Sequence, residues 1–284
     1  YKTSPGPSLT LTESTIFAGT DAKKGVPVQI ESVRGVHEVV IYRIENGSEV
    51  EALRETKNGE HTLNYAPEID FTEATSKLKV VVSDGREGKE AIGYMKAYVN
   101  MDVATLNVGS QPLANNAHVK YPDAFGMVSL NDLKTYSVDY AIANEVNAKN
   151  VDFKFYCFGA SGSPRLYSMD NTGKDGEFSG STGKLSAIKV KNLTRFAILS
   201  NFDYENATVA SISSEILSSS IAQSLLDPIA VGNVIAFRTG GSSAAGGGRI
   251  GVMKVINITE PKELVSNNAT ARVMTVEIKF PKKK

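Results

Sequence analysis

Short segments in which apolar and polar residues alternate recur along almost the whole chain, and turn residues separate them. Leu78, Val80 and Val82 illustrate the pattern, because residues two apart point to the same face of a β-strand. Asn-Gly and Asp-Gly pairs, as at Asn46-Gly47 and Asp84-Gly85, favour tight turns between such strands. The predicted fold class is therefore mostly β.

Residues 8 to 102 have the strand spacing of a two-sheet sandwich. They look like an immunoglobulin or fibronectin type III module, although the chain has one Cys and no Trp and so lacks the antibody disulfide. We predict a tether over residues 1–7, rich in Pro and Gly, and an immunoglobulin-like β-sandwich over residues 8–102. The predicted strands are 8–12, 26–33, 36–44, 49–53, 61–65, 78–82 and 91–99.

Residues 103–284 are predicted to form a larger β-rich domain, similar to a sandwich or jelly roll, that binds a ligand. Apolar residues at spacings of three to five predict one helix near residues 211–226, before the stop signal Asp227-Pro228. We expect the glycine-rich stretch 240–248 to be a mobile hairpin loop without packed side chains. The predicted strands are 104–108, 126–130, 137–143, 151–158, 165–168, 186–190, 195–200, 231–239, 251–258 and 271–280.

Charge and length restrict the partners of the chain. Lys plus Arg and Asp plus Glu both number 31, so no net field attracts nucleic acid. No stretch approaches the roughly 20 apolar residues of a transmembrane helix.

Because the chain begins at Tyr1 rather than Met, we expect that a targeting segment has been removed and that the protein is exported. The oligomeric state stays open.

The residues that usually build catalytic or metal sites are sparse. His37, His61 and His118 lie far apart in sequence, and Cys157 lies in a predicted strand, where we expect it to be buried. We predict no enzymatic activity, no catalytic residue, no metal and no cofactor.

Carboxylates leave one alternative open. Asp139, Glu145 and Asp152 could serve as an acid pair for glycoside hydrolysis, since such pairs come from anywhere in a fold. Residues 170–177 carry the carboxylates of a calcium loop, but Lys174 stands where an oxygen ligand belongs, which favours a turn.

Aromatic residues in predicted loops are the candidate ligand-binding residues. A ring face packs on sugar C–H groups while neighbouring Asp and Asn side chains bind hydroxyls, so such loops suit a glycan or a peptide. Phe202 and Tyr204 rank first because they lie two apart and could point the same way. The remaining candidates are Tyr121, Phe125 and Tyr167.

The end of the chain resembles surface lipoproteins of gut Bacteroidetes. The similarity lies in residues 231–239, 251–255 and 273–280, with 151–156 and the immunoglobulin-like module before them. The resemblance implies a lipid-anchored protein of the cell envelope or outer membrane surface, with the signal peptide and lipidated Cys removed. It also implies an association with polysaccharide capture, and it carries no catalytic residue.

These observations favour a non-enzymatic, exported, envelope-anchored binding or adhesion protein, with glycan as the first-ranked ligand class. One alternative is a structural spacer or assembly component that binds a protein partner on the surface. A second alternative is a carbohydrate-active hydrolase.

Overall fold

The computed structural model describes residues 3–159, 162–260, 263–264 and 270–284. Strands make up 42% of the chain and helices 11%, which confirms the predicted β-rich fold with few helices. Two compact units form. The first contains Tyr1–Met101, Glu205–Ser213 and Lys282–Lys284, and the second contains Asp102–Tyr204 and Ser214–Pro281.

Two sheets and a short ladder make up the first unit. The sheet orders are β1-β4-β7 and β2-β10-β9-β5-β6, and β3 pairs with β8. All neighbours are antiparallel except β2 and β10. The strands are β1 (Ser8–Thr10), β2 (Thr15–Ala18), β3 (Lys24–Gly25), β4 (Val28–Glu31), β5 (Glu38–Glu45), β6 (Ser48–Thr56), β7 (Thr62–Tyr65), β8 (Glu68–Ile69), β9 (Thr75–Ser83) and β10 (Glu90–Val99).

The core of the first unit follows the period of two. Leu78, Val80 and Val82 are fully buried and pack in one cluster with Ile30 of the opposite sheet. The spacing of Val28, Ile30 and Val33 predicts that these three residues nearly share one face, but Val33 is 65% exposed. The strand ends at Glu31, and a turn closed by a hydrogen bond from the Gly35 amide to the Ser32 carbonyl follows it.

The described part of the predicted tether lies against the first unit. Arg86 donates to the carbonyls of Ser4 and Pro5 at 3.1 and 3.0 Å, and Pro7 is buried. Tyr1 and Lys2, also predicted as tether, lie outside the described residues. A guanidinium therefore holds a segment whose composition alone suggested a free linker.

The second unit is a sandwich of two five-stranded sheets, ordered β11-β20-β19-β18-β16 and β13-β12-β14-β15-β17. Its core is rich in aromatic rings, among them Phe153 of β14 and Phe196 of β16, which meet edge to face at 5.6 Å. The strands are β11 (Met101–Gly109), β12 (Met127–Ser129), β13 (Lys134–Tyr136), β14 (Phe153–Phe158), β15 (Ser163–Ser168), β16 (Arg195–Leu199), β17 (Leu225–Leu226), β18 (Val234–Arg238), β19 (Ile250–Ile258) and β20 (Val273–Pro281).

The described residues include three short α-helices: α1 (Val138–Ala143), α2 (Glu145–Lys149) and α3 (Val209–Glu215). Among the described residues, no helix combines the length and apolar character that crossing a bilayer requires. Single 3-10 turns occupy Gln111–Leu113, Asp175–Glu177, Leu185–Ala187 and Ser218–Ser220.

Two of the predicted strands are wrong. Residues 137–143 are predicted as a strand, yet Ser137 caps α1 by accepting from the Tyr140 amide at 3.1 Å, and Asn144 caps α2 in the same way. Such caps satisfy the unpaired amides at the start of a helix and fix where it begins. Residues 186–190, also predicted as a strand, lie in and beyond a 3-10 turn.

The helix predicted over residues 211–226 is also wrong in extent. The structure has α3 at Val209–Glu215, then the turn Ser218–Ser220, then β17, which pairs with β15. Serine hydroxyls compete for backbone groups and weaken a helix. Arg238 additionally donates to the Ser218 carbonyl at 2.7 Å, which stabilises the turn.

The glycine-rich segment between β18 and β19 is a packed loop, which corrects the expectation that no side chain packs there. Ser243 and Ala245 are buried, and the Ala244 amide donates to the Lys149 carbonyl at 2.8 Å. A Cβ on Gly240 would lie 2.6 Å from the Leu193 amide nitrogen. The glycine thus permits close approach of two backbones, and the loop gains a defined position.

Candidate functional site

Tyr204, one of the two first-ranked residues, is a buried packing residue. It is 3% exposed, and its hydroxyl lies 2.9 Å from the carbonyl oxygen and 3.0 Å from Oε1 of Glu277. The ammonium of Lys279 donates to the Tyr204 carbonyl at 2.7 Å and lies 4.1 Å from the ring centroid. These contacts fix the loop after β16 onto β20, so the ring is not presented to a ligand.

Tyr167 and Tyr121 are also engaged by the protein. Tyr167 is 4% exposed, meets Tyr156 edge to face at 5.7 Å, and its hydroxyl accepts from Arg165 at 3.0 Å. Tyr121 is half-buried against a small cluster that includes Leu113. Neither ring lines the two grooves described below.

Phe202 lines an open groove of about 400 Å³ at the β16 edge of the second unit. We call it the Phe202 groove. The groove is also lined by Asn201, Glu215 and Ser220, whose side chains carry an amide, a carboxylate and a hydroxyl. The Ser220 hydroxyl donates to the Leu217 carbonyl at 2.7 Å, so it can only accept a hydrogen bond from a ligand. The complete lining is Ala197, Ile198, Leu199, Ser200, Asn201, Phe202, Glu215, Ile216 and Ser220.

Three stretches of chain build this groove. β16 supplies one wall, the loop after it supplies Phe202, and the segment from Glu215 to Ser220 supplies the other wall. Arg238 binds both the carbonyl and the hydroxyl of Ser218, at 2.7 and 3.0 Å, which holds that second wall.

The strand edge beside the Phe202 groove is only partly paired. Phe196 exchanges two backbone hydrogen bonds with Gln223 on the side away from β18, at 2.8 and 3.0 Å. Directions alternate along an antiparallel strand, so the N–H and C=O of Ile198 point the same way. Within the described ranges no strand pairs with Ile198 on that side, and its side chain is 48% exposed.

A second groove, the Phe125 groove, lies between the edge strands β11 and β13. Its volume is about 350 Å³. Phe125 enters it from the loop before β12, and the Phe125 amide donates to Thr135 at 3.2 Å. The lining is Thr105, Leu106, Asn107, Asp123, Phe125, Lys134 and Thr135. The structure thus places one predicted aromatic residue in each groove, and it does not bring the five candidate aromatic residues together in one site.

Two of the carboxylates considered for hydrolysis are held by the protein. Asp139 accepts from the Thr182 amide and hydroxyl and from Asn115, at 3.0, 2.8 and 3.0 Å, and these bonds, that of the Thr182 amide above all, hold its pKa well below its usual range. Glu145 pairs with Lys149 at 2.8 Å, which lowers its pKa. Both are therefore poor proton donors, and neither lines a groove.

Asp152, the third carboxylate, is fully buried in the second unit. Its two oxygens accept from the Ser243 hydroxyl at 2.6 Å and from the Leu130 amide at 2.8 Å. Burial raises its pKa to about 6. Cys157 is likewise buried and unpaired, and burial raises the pKa of its thiol to about 12. Neither group lines either groove.

The carboxylates of residues 170–177 are bound by cationic side chains of the protein. Asp170 forms a two-point pair with Arg195 at 2.8 and 2.9 Å. The buried ammonium of Lys154 binds Asp175 and also the Asn171 carbonyl at 3.0 Å, and burial lowers its pKa. Over the described ranges no three carboxylate, His or Cys side chains form a metal-binding group.

Sequence reasoning missed most of the groove walls. Glu215 and Ser220 lie within the helix predicted near residues 211–226, and Asp123 and Lys134 belong to segments without a recognisable motif. The exposed ring of Phe158, 46% exposed with the Arg165 guanidinium 4.7 Å from its centroid, lay in a predicted strand and was not singled out. The chain matches no protein-family model and no curated protein.

Proposed function

We propose that this protein is a non-enzymatic binding or adhesion protein of the cell envelope, and that the Phe202 groove binds a short segment of glycan. The observation that carries the proposal is the half-buried Phe202 ring, which shares a concave groove with an amide, a carboxylate and hydroxyls. A ring face packs against sugar C–H groups, while such neighbours satisfy sugar hydroxyls.

Export and lipid anchoring belong to the same proposal. They are supported by the resemblance of residues 231–239, 251–255 and 273–280 to envelope lipoproteins of Bacteroidetes. A hydrolase receives no support from the carboxylates considered, because Asp139, Glu145 and Asp152 are all engaged away from the grooves.

A glycan array with the full chain tests the proposed ligand class. We expect binding to at least one neutral polysaccharide, and we expect Phe202→Ala to weaken it by at least about tenfold, which corresponds to at least about 1.4 kcal/mol. Phe158→Ala is the matched control, since it removes an exposed ring of the same unit outside the groove. A chain that binds no array member, or equal loss in both variants, would contradict the proposal.

The partly paired edge of β16 favours a second candidate function, assembly with a protein partner. An extended peptide adds to such an edge through main-chain hydrogen bonds. Two apolar side chains near this edge are exposed and could contact such a peptide: Ile198 and Leu217, of which Leu217 is 71% exposed. Phe202→Ala and Ile198→Pro together separate the candidates, because the first leaves the outward N–H of Ile198 in place and the second removes it while sparing the bonds to β18. Strand addition predicts that a partner captured from envelope extracts is retained by Phe202→Ala and lost by Ile198→Pro, whereas glycan binding predicts that Phe202→Ala loses array binding.

A further inference from the structure

The Phe125 groove carries polar groups whose hydrogen-bonding capacity is not used within the described part of the chain. The carboxylate of Asp123 forms no ion pair or hydrogen bond there, and the ammonium of Lys134 forms no hydrogen bond there but lies 4.7 Å from the centroid of the Tyr136 ring and interacts electrostatically with the Asp132 carboxylate. Asp123, Lys134 and Thr105 are all exposed. A groove with such groups can exchange bound water for ligand hydroxyls without breaking internal bonds.

The side-chain amide of Asn107, which also lines the groove, can donate a hydrogen bond to a ligand. The Oδ1 atom of Asn107 accepts from the Thr275 hydroxyl at 2.7 Å, which leaves the Asn107 NH₂ group for a ligand oxygen. The groove therefore offers a carboxylate acceptor, two donors and one aromatic ring.

The charge of the groove selects the class of ligand. Among the residues that line the groove, one carboxylate and one ammonium cancel, so the lining has no net charge that attracts an anion or a cation. An acceptor, donors and a ring face together match a neutral sugar, with several hydroxyls and one apolar C–H face. A volume of about 350 Å³ suits a short segment rather than a long stretch of polymer.

We infer that the Phe125 groove is a second glycan-binding site, so that each chain binds a neutral polysaccharide at two points. The inference rests on the proposed function, because both grooves are assigned the same ligand class. The grooves lie at different strand edges of the second unit, β16 for one and β11 with β13 for the other. Two-point binding raises the affinity for a polymer over that for a short fragment without any new contact.

Calorimetric titration of the full chain tests the second site. The probes are maltohexaose, xylohexaose and laminarihexaose, each compared with soluble starch, soluble xylan or laminarin. For the sugar that binds, we expect two fragments per chain for the wild type, one for Phe125→Ala, one for Phe202→Ala and none for the double variant. Affinity for the polymer falls about 10²-fold in either single variant.

Asp123→Ala provides an independent variant, since this exposed side chain is not needed for folding, and Asp21→Ala is its matched control. We expect one fragment per chain for Asp123→Ala and two for Asp21→Ala. A wild type that binds one fragment, with loss in Phe202→Ala alone, would overturn the second site and leave the proposed function standing. A wild type that binds no fragment and no polymer would overturn both.

Discussion

The carboxyl group of Asp152 lies wholly inside the second unit and connects β12 to the glycine-rich loop through Leu130 and Ser243. No cation among the described residues affects its pKa, so burial dominates and raises it from 3.8 to about 6. The folded protein therefore retains a proton that the unfolded chain releases at lower pH.

Asp152 predicts a fall in stability as pH rises. Because its folded pKa is raised, its contribution is fully present below about pH 4 and is lost by about pH 6, a change of about 3 kcal/mol. Asp152→Asn cannot ionise, and its amide can donate to Ser243 while its oxygen accepts from Leu130. In urea unfolding experiments from pH 4 to pH 8, the free energy of unfolding of the variant should rise relative to that of the wild type as the pH passes through this window. A constant difference would refute this account of Asp152.

At the scale of elements, β14 is buried on both faces because the core rings pack on one side and the residues of α1 and α2 on the other. Lys154 of this strand is fully buried and its ammonium pairs with Asp175. One oxygen of Asp175, Oδ2, has no hydrogen-bond partner among the described residues. The ion pair therefore attaches the 170–177 segment to the sheet, but it does not fully offset the cost of burying the Asp175 carboxylate.

The Lys154–Asp175 pair predicts non-additive effects. Asp175→Ala leaves an ammonium buried without its carboxylate and should cost about 3–5 kcal/mol of unfolding free energy. The double variant Lys154→Met with Asp175→Leu removes both charges and should recover most of that loss. Chemical unfolding of the two variants and the wild type measures the difference. Equal destabilisation by both variants would show that the charge pair is not the cause.

The alternation of apolar and polar residues correctly predicted the strands that are buried on one face. Strand prediction failed where short-range hydrogen bonds determine the secondary structure. Leu78, Val80 and Val82 are buried as their spacing indicates. Residues 137–143 were also predicted as a strand, but the Ser137 cap makes residues 138–143 helical, and that cap was not predicted. Most of the groove residues could not be predicted from the sequence. Asn107, Asp123 and Lys134 come together only when β11 and β13 lie at the edges of their sheets.

At the scale of the whole molecule, the first unit is assembled from separate stretches of chain. Residues from the second half contribute hydrogen bonds to it, since the Ala210 amide donates to the Glu73 carbonyl at 3.1 Å and Lys96 donates to the Glu205 carbonyl at 2.5 Å. Cutting the chain near residue 102, as the sequence suggests, therefore leaves the first unit without a segment that belongs to it.

This composite unit predicts a measurable gain in stability. Residues 3–103 joined through a Gly/Ser linker to residues 205–213 should unfold at a higher urea concentration than residues 3–103 alone, because the hydrogen bonds to Glu73 and Glu205 are restored. A fusion with the same nine residues in scrambled order is the control. Equal midpoints for the true and scrambled fusions would refute the prediction.

The order of biosynthesis gives the composite unit a further consequence. A ribosome releases Met101 long before Ser213, and at about 5–20 residues per second the interval is roughly 5–20 s. During that time the strands of the first unit exist without their helical segment. Lys282–Lys284 of the first unit follow all of the second unit in the sequence, so the first unit is completed only after the second has been synthesised.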